Sequence, residues 1–590
     1  MLVNKLPRLV NMGVPAYFRQ IISEHSDTHF WTQDMPVDNL LIDFNSVVYQ
    51  VINLLNEELG TSLSSVSPIN YENKLLPRII KYLHHVITEV IKPRKTVYIA
   101  IDGVPPKAKM IQQRARRYKT VKEQNFKKDL EKKYKITIPT LQWNKAAISP
   151  GTSFMVKLSK LIIQNIQQRN FQAHNENLII IFSDDTICGE GEAKLMPSIK
   201  RMKQDEVSVV YSPDADLIVL TVMSGIKNIF ILREPKDSDV ELKIYKDHEF
   251  MYLSIDKCRD AFCKQMAGSE THYKEILKDY SFLTFLCGND FVIAAPFLKV
   301  KEGGIQLLID AHKDIFAELN KMGDGTDPQF LINSNNEINN MFLLKLVKNL
   351  GMIEEDKLKK WQKKRDRIRQ GIRSSKKDQS ESSKEPWELE LSRFNHEEYY
   401  SPLHPHYEHF NKVFDKIDYY NPSWNDQYNR HFFGSENVDQ ICHDYYKSLC
   451  FCLGYYYNGV PSWTWFYRYR AAPSIRQFVC YLEKNINIKV TWEPSEPFTP
   501  FEQLMFILPK QSFKLLPKVL NDSELDEYYP KNFILDIVQG QKFIYSDAIL
   551  PEIPPEVIRD KIRGVQDQFT VMEQERNTLR SKPYVHKGKN

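Results

Sequence analysis

Five short apolar runs, separated by segments with helical periodicity, constrain the fold of this chain more than any other feature. The runs occupy positions 39–43, 97–101, 178–182, 207–211 and 229–232. Runs of this length that end at turn residues are typical of buried strands. Because strands that alternate with helices form parallel sheets, the sequence predicts an α/β fold with a mostly parallel central sheet flanked by helices.

Carboxylates collect where these strands end. Seven acidic residues form the set that we call the acidic cluster: Asp43, Asp102, Glu190, Glu192, Asp214, Asp216 and Asp290. All but the last closely follow a predicted strand, and ligands of parallel sheets gather at the carboxyl ends of the strands. We therefore expect the seven side chains to form one catalytic site.

Convergence of these carboxylates would favour metal binding. Two like charges about 4 Å apart repel by about 4 kcal/mol at an effective dielectric constant of roughly 20. Divalent cations relieve this repulsion, and oxygen ligands without His or Cys suit Mg²⁺ or Mn²⁺ rather than zinc. Two such ions can activate water and stabilise the leaving oxygen during phosphodiester cleavage.

Each carboxylate also has a simpler interpretation. A single Asp at a strand end is commonly a turn or cap residue, the 190–192 segment resembles a flexible acidic loop, and Asp214 with Asp216 fits an Asx-turn. The same placement after four strands favours a shared site over four separate turns. We interpret Asp184 and Asp185 as structural, helix-capping residues.

A basic helix follows the second predicted strand. After Asp102, a Gly and two Pro residues turn the chain, and positions 107–135 then contain 12 Lys or Arg against 3 Asp or Glu. Lys109, Gln113, Arg116 and Arg117 fall at i, i+4, i+7 and i+8, so they share one helix face. Donors of this kind bind phosphate, which suggests a metal-dependent enzyme acting on a phosphate chain. The alternative is a solvated surface helix beside a capping Asp.

Composition excludes several classes of protein. No apolar run approaches the 18 residues of a membrane span, and the first 11 residues lack the apolar core of a secretory signal. Eight Cys show no CxxC pair and no zinc spacing, which favours reduced thiols. We expect a soluble, intracellular monomer without membrane association, in the cytoplasm or alternatively the nucleus. The net charge of +5 does not by itself indicate a nucleic-acid binder.

Composition also suggests the domain organisation. Residues 1–350 would form a core carrying the acidic cluster and the basic helix, and 351–386 a basic, Ser-rich linker. Residues 387–555 are aromatic-rich and globular, and we expect this largely helical region to pack on the core. Residues 556–590 are predicted to form a polar helix and a disordered basic tail.

Several segments resemble, in order and spacing, the motifs of the Xrn family of 5′→3′ exoribonucleases. They are MGVPAYFR, DNLLIDFNSVVY, YIAIDGVPPKAKMIQQRARR, ISPGTSFM, FSDDTICGEGEAKLM, YSPDADLIVL and FLCGNDF. YYYNGVPSWTWFY and PFTPFEQLMFILP resemble the second conserved region of that family. The resemblance covers positions from about 12 to about 550 and implies a core like that of PIN and flap nucleases.

The resemblance implies a function for both groups of residues. The acidic cluster would bind two Mg²⁺ ions, with Mn²⁺ as a substitute, and Lys109, Gln113, Arg116 and Arg117 would hold a 5′-monophosphate. Single-stranded RNA with that end would be the substrate, degraded processively to nucleoside 5′-monophosphates in RNA decay. The sequence does not identify protein partners.

Aromatic residues complete the implied site. Tyr49 stands where the family usually has His, and it can still stack on the first base. The Trp of the family that stacks there corresponds to Trp463 or Trp465, and either of them could instead be a core residue.

Two alternative functions remain open from the sequence. A flap-type 5′ DNA nuclease also places carboxylates at the ends of a parallel sheet, but the complete basic helix and the second conserved region disfavour it. A nonenzymatic RNA-binding scaffold derived from such an enzyme would be expected to lack cluster carboxylates, and none is missing.

Overall fold

A computed structural model provides the coordinates of the chain. The described residues are 17–31, 35–234, 250–266, 272–320, 328–369, 384–396, 416–536, 543 and 546–588. Among them, no helix is long and apolar enough to cross a membrane.

An eight-stranded sheet lies at the centre of the fold, in the order β1-β7-β6-β5-β2-β3-β4-β10. Its strands are β1 (His29–Phe30), β2 (Asn39–Asp43), β3 (Thr96–Ala100), β4 (Ile179–Ser183), β5 (Ser208–Tyr211), β6 (Ile229–Arg233), β7 (Met251–Ser254) and β10 (Tyr584–His586). The five central strands, from β6 to β4, are parallel to one another. β7, β1 and β10 extend the two sides of the sheet in antiparallel pairing. A separate hairpin pairs β8 (Ile534–Asp536) with β9 (Asp547–Ile549).

The five predicted strands are confirmed, each within one residue at either end. All five are parallel, as alternation with helices requires. The other three strands of the central sheet, which the sequence did not predict, are short and pair in antiparallel orientation. Among them, β10 corrects the prediction of a disordered tail, because residues 584–586 pair with β4 and cover its free edge.

Helices cover both faces of the sheet and form most of the remaining regular structure among the described residues. The first eleven are α1 (Tyr17–Glu24), α2 (Phe44–Leu59), α3 (Pro68–His85), α4 (Lys107–Tyr134), α5 (Ser153–Gln167), α6 (Gly191–Ile199), α7 (Asp216–Ser224), α8 (Ile255–Met266), α9 (Tyr273–Leu286), α10 (Gly304–Leu319) and α11 (Asn340–Arg369). The others are α12 (Pro386–His396), α13 (Trp424–Phe432), α14 (Val438–Asn458), α15 (Ile475–Lys484), α16 (Pro500–Ile507), α17 (Pro555–Val565) and α18 (Val571–Arg576).

Two helix starts follow directly from the sequence. α4 begins immediately after Pro106, whose fixed φ suits a helix start and whose missing N–H leaves no donor unpaired. Thr152 caps α5 by accepting a hydrogen bond from the backbone N–H of Met155, and Thr is a favoured residue at this position.

The hydrophobic core divides at the sheet. One layer packs α2, α3 and α5 on one face. The other layer is continuous from the opposite face into the aromatic-rich region. Phe291 lies 4.7 Å from Tyr455, and Phe285 lies 5.1 Å from Tyr456, measured between ring centroids. The aromatic-rich region is therefore packed on the core that carries the sheet.

The proposed domain division remains a prediction. α11 runs across the 350/351 boundary, so the first part of the predicted linker is helical. The Ser-rich part of that linker, from 370 to 383, lies outside the described residues.

Candidate active site

The parallel register brings the strand ends together at one edge of the sheet. Asp43 is the last residue of β2 and pairs with Ala100 of β3, two positions before Asp102. On the other side of β2, Ile42 pairs with Tyr211 of β5, three positions before Asp214. The loops that follow β3 and β5 therefore meet the end of β2.

The start of α6 fills the space between two of these carboxylates. The backbone N–H of Gly191 donates a hydrogen bond of 2.6 Å to Asp102 Oδ1. A Cβ atom added at Gly191 would lie 2.7 Å from Asp43 Oδ1 and 3.3 Å from Asp102 Oδ1. Glu190 and Glu192 flank this glycine, so the close approach brings both of them to the other carboxylates.

Gly191→Ala is expected to disturb this packing. A methyl group 2.7 Å from Asp43 Oδ1 and 3.1 Å from the Ala100 carbonyl forces a strand end or α6 to shift. Overpacking of this kind costs about 1–3 kcal/mol of unfolding free energy, which thermal and denaturant unfolding measure. Gly564→Ala is the matched control, because no atom lies within 4 Å of its added Cβ. Equal stability of the two variants would contradict the close approach.

Three neutral groups orient the carboxylates. The side-chain amide of Asn45 donates to Asp102 Oδ2 at 2.6 Å, and the hydroxyl of Ser212 donates to Asp43 Oδ2 at 3.0 Å. Asp214 Oδ1 accepts a hydrogen bond from the backbone N–H of Asp216 at 3.1 Å. The Asx-turn considered for residues 214–216 is therefore present, and it fixes the Asp214 carboxylate relative to Asp216 within the acidic cluster.

Lys109 joins two further members of the acidic cluster. Its ammonium lies 2.5 Å from Glu190 Oε1 and also contacts Asp290 Oδ2. The other oxygen of Glu190 accepts a hydrogen bond of 2.9 Å from the hydroxyl of Tyr455, and the amide of Gln112 donates to Asp290 Oδ1. The basic helix and the acidic cluster therefore meet at this lysine.

Burial and mutual repulsion shape the ionisation of the cluster. Burial raises the pKa of Asp43 well above its usual value, and the charges of Asp102 and Asp214 raise it further. Burial raises the pKa of Glu192 in the same way, and Glu190 is its most influential charged neighbour. Burial, followed by the charges of neighbouring carboxylates, therefore disfavours the ionised form of Asp43 and Glu192.

The pKa of Asp290 shifts in the opposite direction. Although burial opposes its ionisation, the positive charges of Lys109 and Arg116 hold the pKa of Asp290 below its usual value. The side that faces the basic helix is therefore compensated within the chain.

The donor set fits a hard divalent cation. Seven carboxylates supply only oxygen ligands, and repulsion at Asp43 and Glu192 favours a cation beside them. In the part of the chain that the structure describes, no three His, Cys, Asp or Glu side chains are already arranged as a metal site. At Glu190 and Asp290, the ammonium of Lys109 takes the place that a cation would hold.

The basic face of α4 continues beyond Lys109 with Gln113, Arg116 and Arg117. Arg117 NH2 donates to the hydroxyl of Ser149 at 2.6 Å, whereas Arg117 NH1 is buried without a hydrogen-bond partner among the described residues. Gln113 accepts a hydrogen bond of 3.3 Å from the amide of Gln503 in α16. Arg116 is half-buried on the same face.

Tyr49 lies beside this basic face. Burial raises the pKa of its hydroxyl, against the opposing charges of Arg117 and Arg116. The Tyr49 hydroxyl therefore lies near enough to both guanidinium groups to feel their charge.

The two candidate Trp residues have different surroundings. The Trp465 ring lies 5.2 Å from Phe451 and 5.4 Å from Trp492, between ring centroids, so it is partly buried against the core. The Trp463 carbonyl accepts a hydrogen bond of 2.9 Å from the backbone N–H of Lys107, at the start of α4. Among the described residues, no aromatic ring packs against that of Trp463.

Two family models match the chain over almost its whole length. Residues 12–235 match the model described as the XRN 5′-3′ exonuclease N-terminus, and residues 270–401 and 395–589 match the Xrn1 helical domain. The chain belongs to the Xrn family. The resemblance carried by the sequence motifs is thereby confirmed.

Curated relatives of this Xrn chain agree with that assignment. It is similar to 5′-3′ exoribonuclease 1 of Schizosaccharomyces pombe, with 26% identity over 96% of this chain and 50% of the relative. It is 25% identical to 5′-3′ exoribonuclease 2 of Yarrowia lipolytica, over 92% of this chain and 66% of the relative. Against human 5′-3′ exoribonuclease 1 it is 26% identical, over 96% of this chain and 35% of the relative. The chain therefore spans between about a third and two thirds of these proteins.

Several residues at the site of the Xrn chain have little signal in the sequence. Gln112 lies one position outside the predicted basic face, and Tyr455 belongs to a helix full of aromatic residues. Asn45 and Ser212 sit next to cluster carboxylates in the sequence, and this was the only available signal.

The helix-capping interpretation of Asp184 and Asp185 is wrong. Asp184 Oδ1 accepts a hydrogen bond of 3.1 Å from the backbone N–H of Thr186, which forms a turn rather than a cap. Asp185 accepts hydrogen bonds from the N–H of Gly151 at 3.2 Å and from the hydroxyl of Ser159 at 3.3 Å. Both residues are nevertheless structural.

Proposed function

We propose that this Xrn chain is a processive, Mg²⁺-dependent 5′→3′ exoribonuclease. Its substrate would be single-stranded RNA with a 5′-monophosphate, degraded to nucleoside 5′-monophosphates in RNA decay. The observation that carries the proposal is the meeting of an oxygen-only acidic cluster with the basic face of α4, at Lys109. This juxtaposition supports a phosphate-binding surface beside a site for divalent cations.

The acidic cluster would hold the metal. Asp43, Asp102 and Asp214 at the strand ends, with Glu190 and Glu192 at the start of α6 and Asp216 and Asp290 beside them, are the proposed ligands. Two bound Mg²⁺ ions would supply an activated water and stabilisation of the leaving oxygen. Asn45 and Ser212 would keep Asp102 and Asp43 oriented, through the hydrogen bonds that they donate.

The basic face of α4 would set the direction of degradation. Arg117 NH1 is a buried donor without a partner among the described residues, and a terminal phosphate would satisfy it. Lys109, Gln113 and Arg116 would complete the pocket around the same phosphate. Because a pocket beside the metals binds the chain end, the first phosphodiester would lie at the acidic cluster.

Base stacking would hold the first nucleotide. We assign this role to Tyr49 and to Trp463, since the Trp465 ring already packs against the rings of Phe451 and Trp492. Aromatic stacking is tolerant of base identity, as a processive enzyme requires. We expect the enzyme to act as a monomer in the cytoplasm, with the nucleus as the alternative; sedimentation and a fluorescent fusion test these two points.

One end-labelled RNA tests the proposal. Prepared with a 5′-monophosphate, a 5′-triphosphate or a 5′-hydroxyl, it is incubated with the full chain in Mg²⁺ or in EDTA. We expect nucleoside 5′-monophosphates from the monophosphorylated RNA in Mg²⁺, little product from the other two ends, and none in EDTA. A DNA of the same sequence serves as the comparison substrate.

The other outcomes identify the alternatives. Preferential cleavage of DNA would favour a flap-type 5′ nuclease. Tight RNA binding without hydrolysis in either Mg²⁺ or Mn²⁺ would favour a nonenzymatic scaffold.

A further inference from the structure

All four carboxylate oxygens of Glu190 and Asp290 are engaged by groups of the chain itself. Lys109 contacts one oxygen of each residue, Tyr455 donates to the other oxygen of Glu190, and Gln112 donates to the other oxygen of Asp290. The side chains of Lys109, Glu190 and Asp290 are only 7%, 10% and 6% exposed. One ammonium therefore compensates part of the negative charge of these two carboxylates, in a largely buried part of the acidic cluster.

The engaged oxygens are the ones that a metal would need. A divalent cation binds carboxylate oxygens directly, at about 2.0–2.6 Å. At Glu190 and Asp290 it would meet the ammonium of Lys109, whose positive charge repels a cation at the same two carboxylates. Departure of Lys109 would relieve this repulsion.

A released Lys109 has a second group of partners on its own helix. Gln113 lies one turn farther along the same face of α4, followed by Arg116 and Arg117. An ammonium that no longer faces two carboxylates becomes free to bind an anion on this face. A terminal phosphate is the anion that the other donors here suit best.

We propose that Lys109 competes with the divalent metal for Glu190 and Asp290, and that metal binding transfers Lys109 to the 5′-phosphate. This inference rests on the proposed function. Metal and 5′-phosphate would then bind cooperatively, because each favours the state in which Lys109 has left the carboxylates. By linkage, each ligand would tighten the other by the same factor, and such couplings are typically about 5- to 150-fold.

Mn²⁺ binding to the full chain without nucleic acid tests the competition. Electron paramagnetic resonance of free Mn²⁺ gives the affinity of the wild-type chain, Lys109→Met and Lys107→Met. Lys107 is the matched control, because it lies on the same helix but its ammonium is 3.5 Å from Glu552, outside the acidic cluster. We expect Lys109→Met to bind Mn²⁺ about 5- to 150-fold more tightly than wild type, with Lys107→Met unchanged.

An equal or weaker affinity for Mn²⁺ in a folded Lys109→Met chain overturns the inference, because Lys109 would then not oppose metal binding. If the wild-type chain binds no Mn²⁺, or if Asp214→Asn leaves Mn²⁺ binding unchanged, the proposed function itself is overturned. The two failures are therefore distinguishable.

A second measurement uses the unaltered chain, in case the loss of a buried cation prevents folding. The probe is a short phosphorothioate RNA with either a 5′-phosphate or a 5′-hydroxyl, and its binding is measured in EDTA and in Mn²⁺. We expect the affinity ratio between the two ends to rise about 5- to 150-fold when Mn²⁺ is added. An identical ratio under both conditions overturns the transfer of Lys109 to the phosphate.

Discussion

Replacing Asp214 by Asn is expected to lower the rate of RNA hydrolysis roughly 10³-fold, while RNA binding changes little. Asp214 follows the central strand β5, and the proposed metals need its negative charge. Burial, with the charge of Asp290, already raises the pKa of this carboxyl. The Asn oxygen can still accept the backbone hydrogen bond from Asp216, so the local turn should survive. Single-turnover hydrolysis and equilibrium RNA binding, both in Mg²⁺, separate the two effects.

Asp184→Asn is the matched control for this substitution. Asp184 also follows a parallel strand, and its side chain accepts a comparable hydrogen bond from the N–H of Thr186. It lies outside the acidic cluster, so we expect hydrolysis within about twofold of wild type. Normal turnover by Asp214→Asn would remove that residue from the catalytic set. An equal loss in both variants would instead indicate damage to the strand ends.

The central sheet could be predicted because its signals are local. β2, β3, β4, β5 and β6 are apolar runs bounded by turn residues, and burial on both faces makes such runs continuous. β10 has no comparable signal, since residues 584–586 lie in a polar, basic segment and pair with a strand about 400 positions earlier. Its structure depends on the open edge of β4 and not on its own sequence.

The site could be predicted only in part, for a related reason. Residue types at strand ends identified the acidic cluster, and helical periodicity identified the face of α4. Neither pattern could show that Lys109 would face Glu190 and Asp290, because these contacts join residues 81 and 181 positions apart and depend on the tertiary fold. The contact of Tyr455 with Glu190 could not be predicted either, because it joins residues 265 positions apart.

Arg117→Met is expected to reduce the preference for a 5′-phosphate over a 5′-hydroxyl roughly 10- to 100-fold. Burial lowers the pKa of the Arg117 guanidinium to about 10, so the group stays charged at neutral pH. Its NH2 is fixed by Ser149, and its buried NH1 lacks a partner among the described residues. A charged hydrogen bond to phosphate is worth about 1.5–3 kcal/mol, and Met fills the space without replacing it. The ratio of kcat/KM for one RNA with each end measures the effect.

Lys128→Met controls for the general loss of positive charge on α4, since Lys128 is exposed near the far end of the same helix. It should weaken binding of both RNAs equally and leave the ratio unchanged, because a distant charge attracts the whole phosphate chain. An unchanged ratio in Arg117→Met would mean that the buried NH1 does not face the terminal phosphate. A fall in kcat/KM confined to the 5′-phosphorylated RNA would instead locate the phosphate at Arg117. Recognition of the chain end would then depend on the buried NH1 group, which has no partner among the described residues.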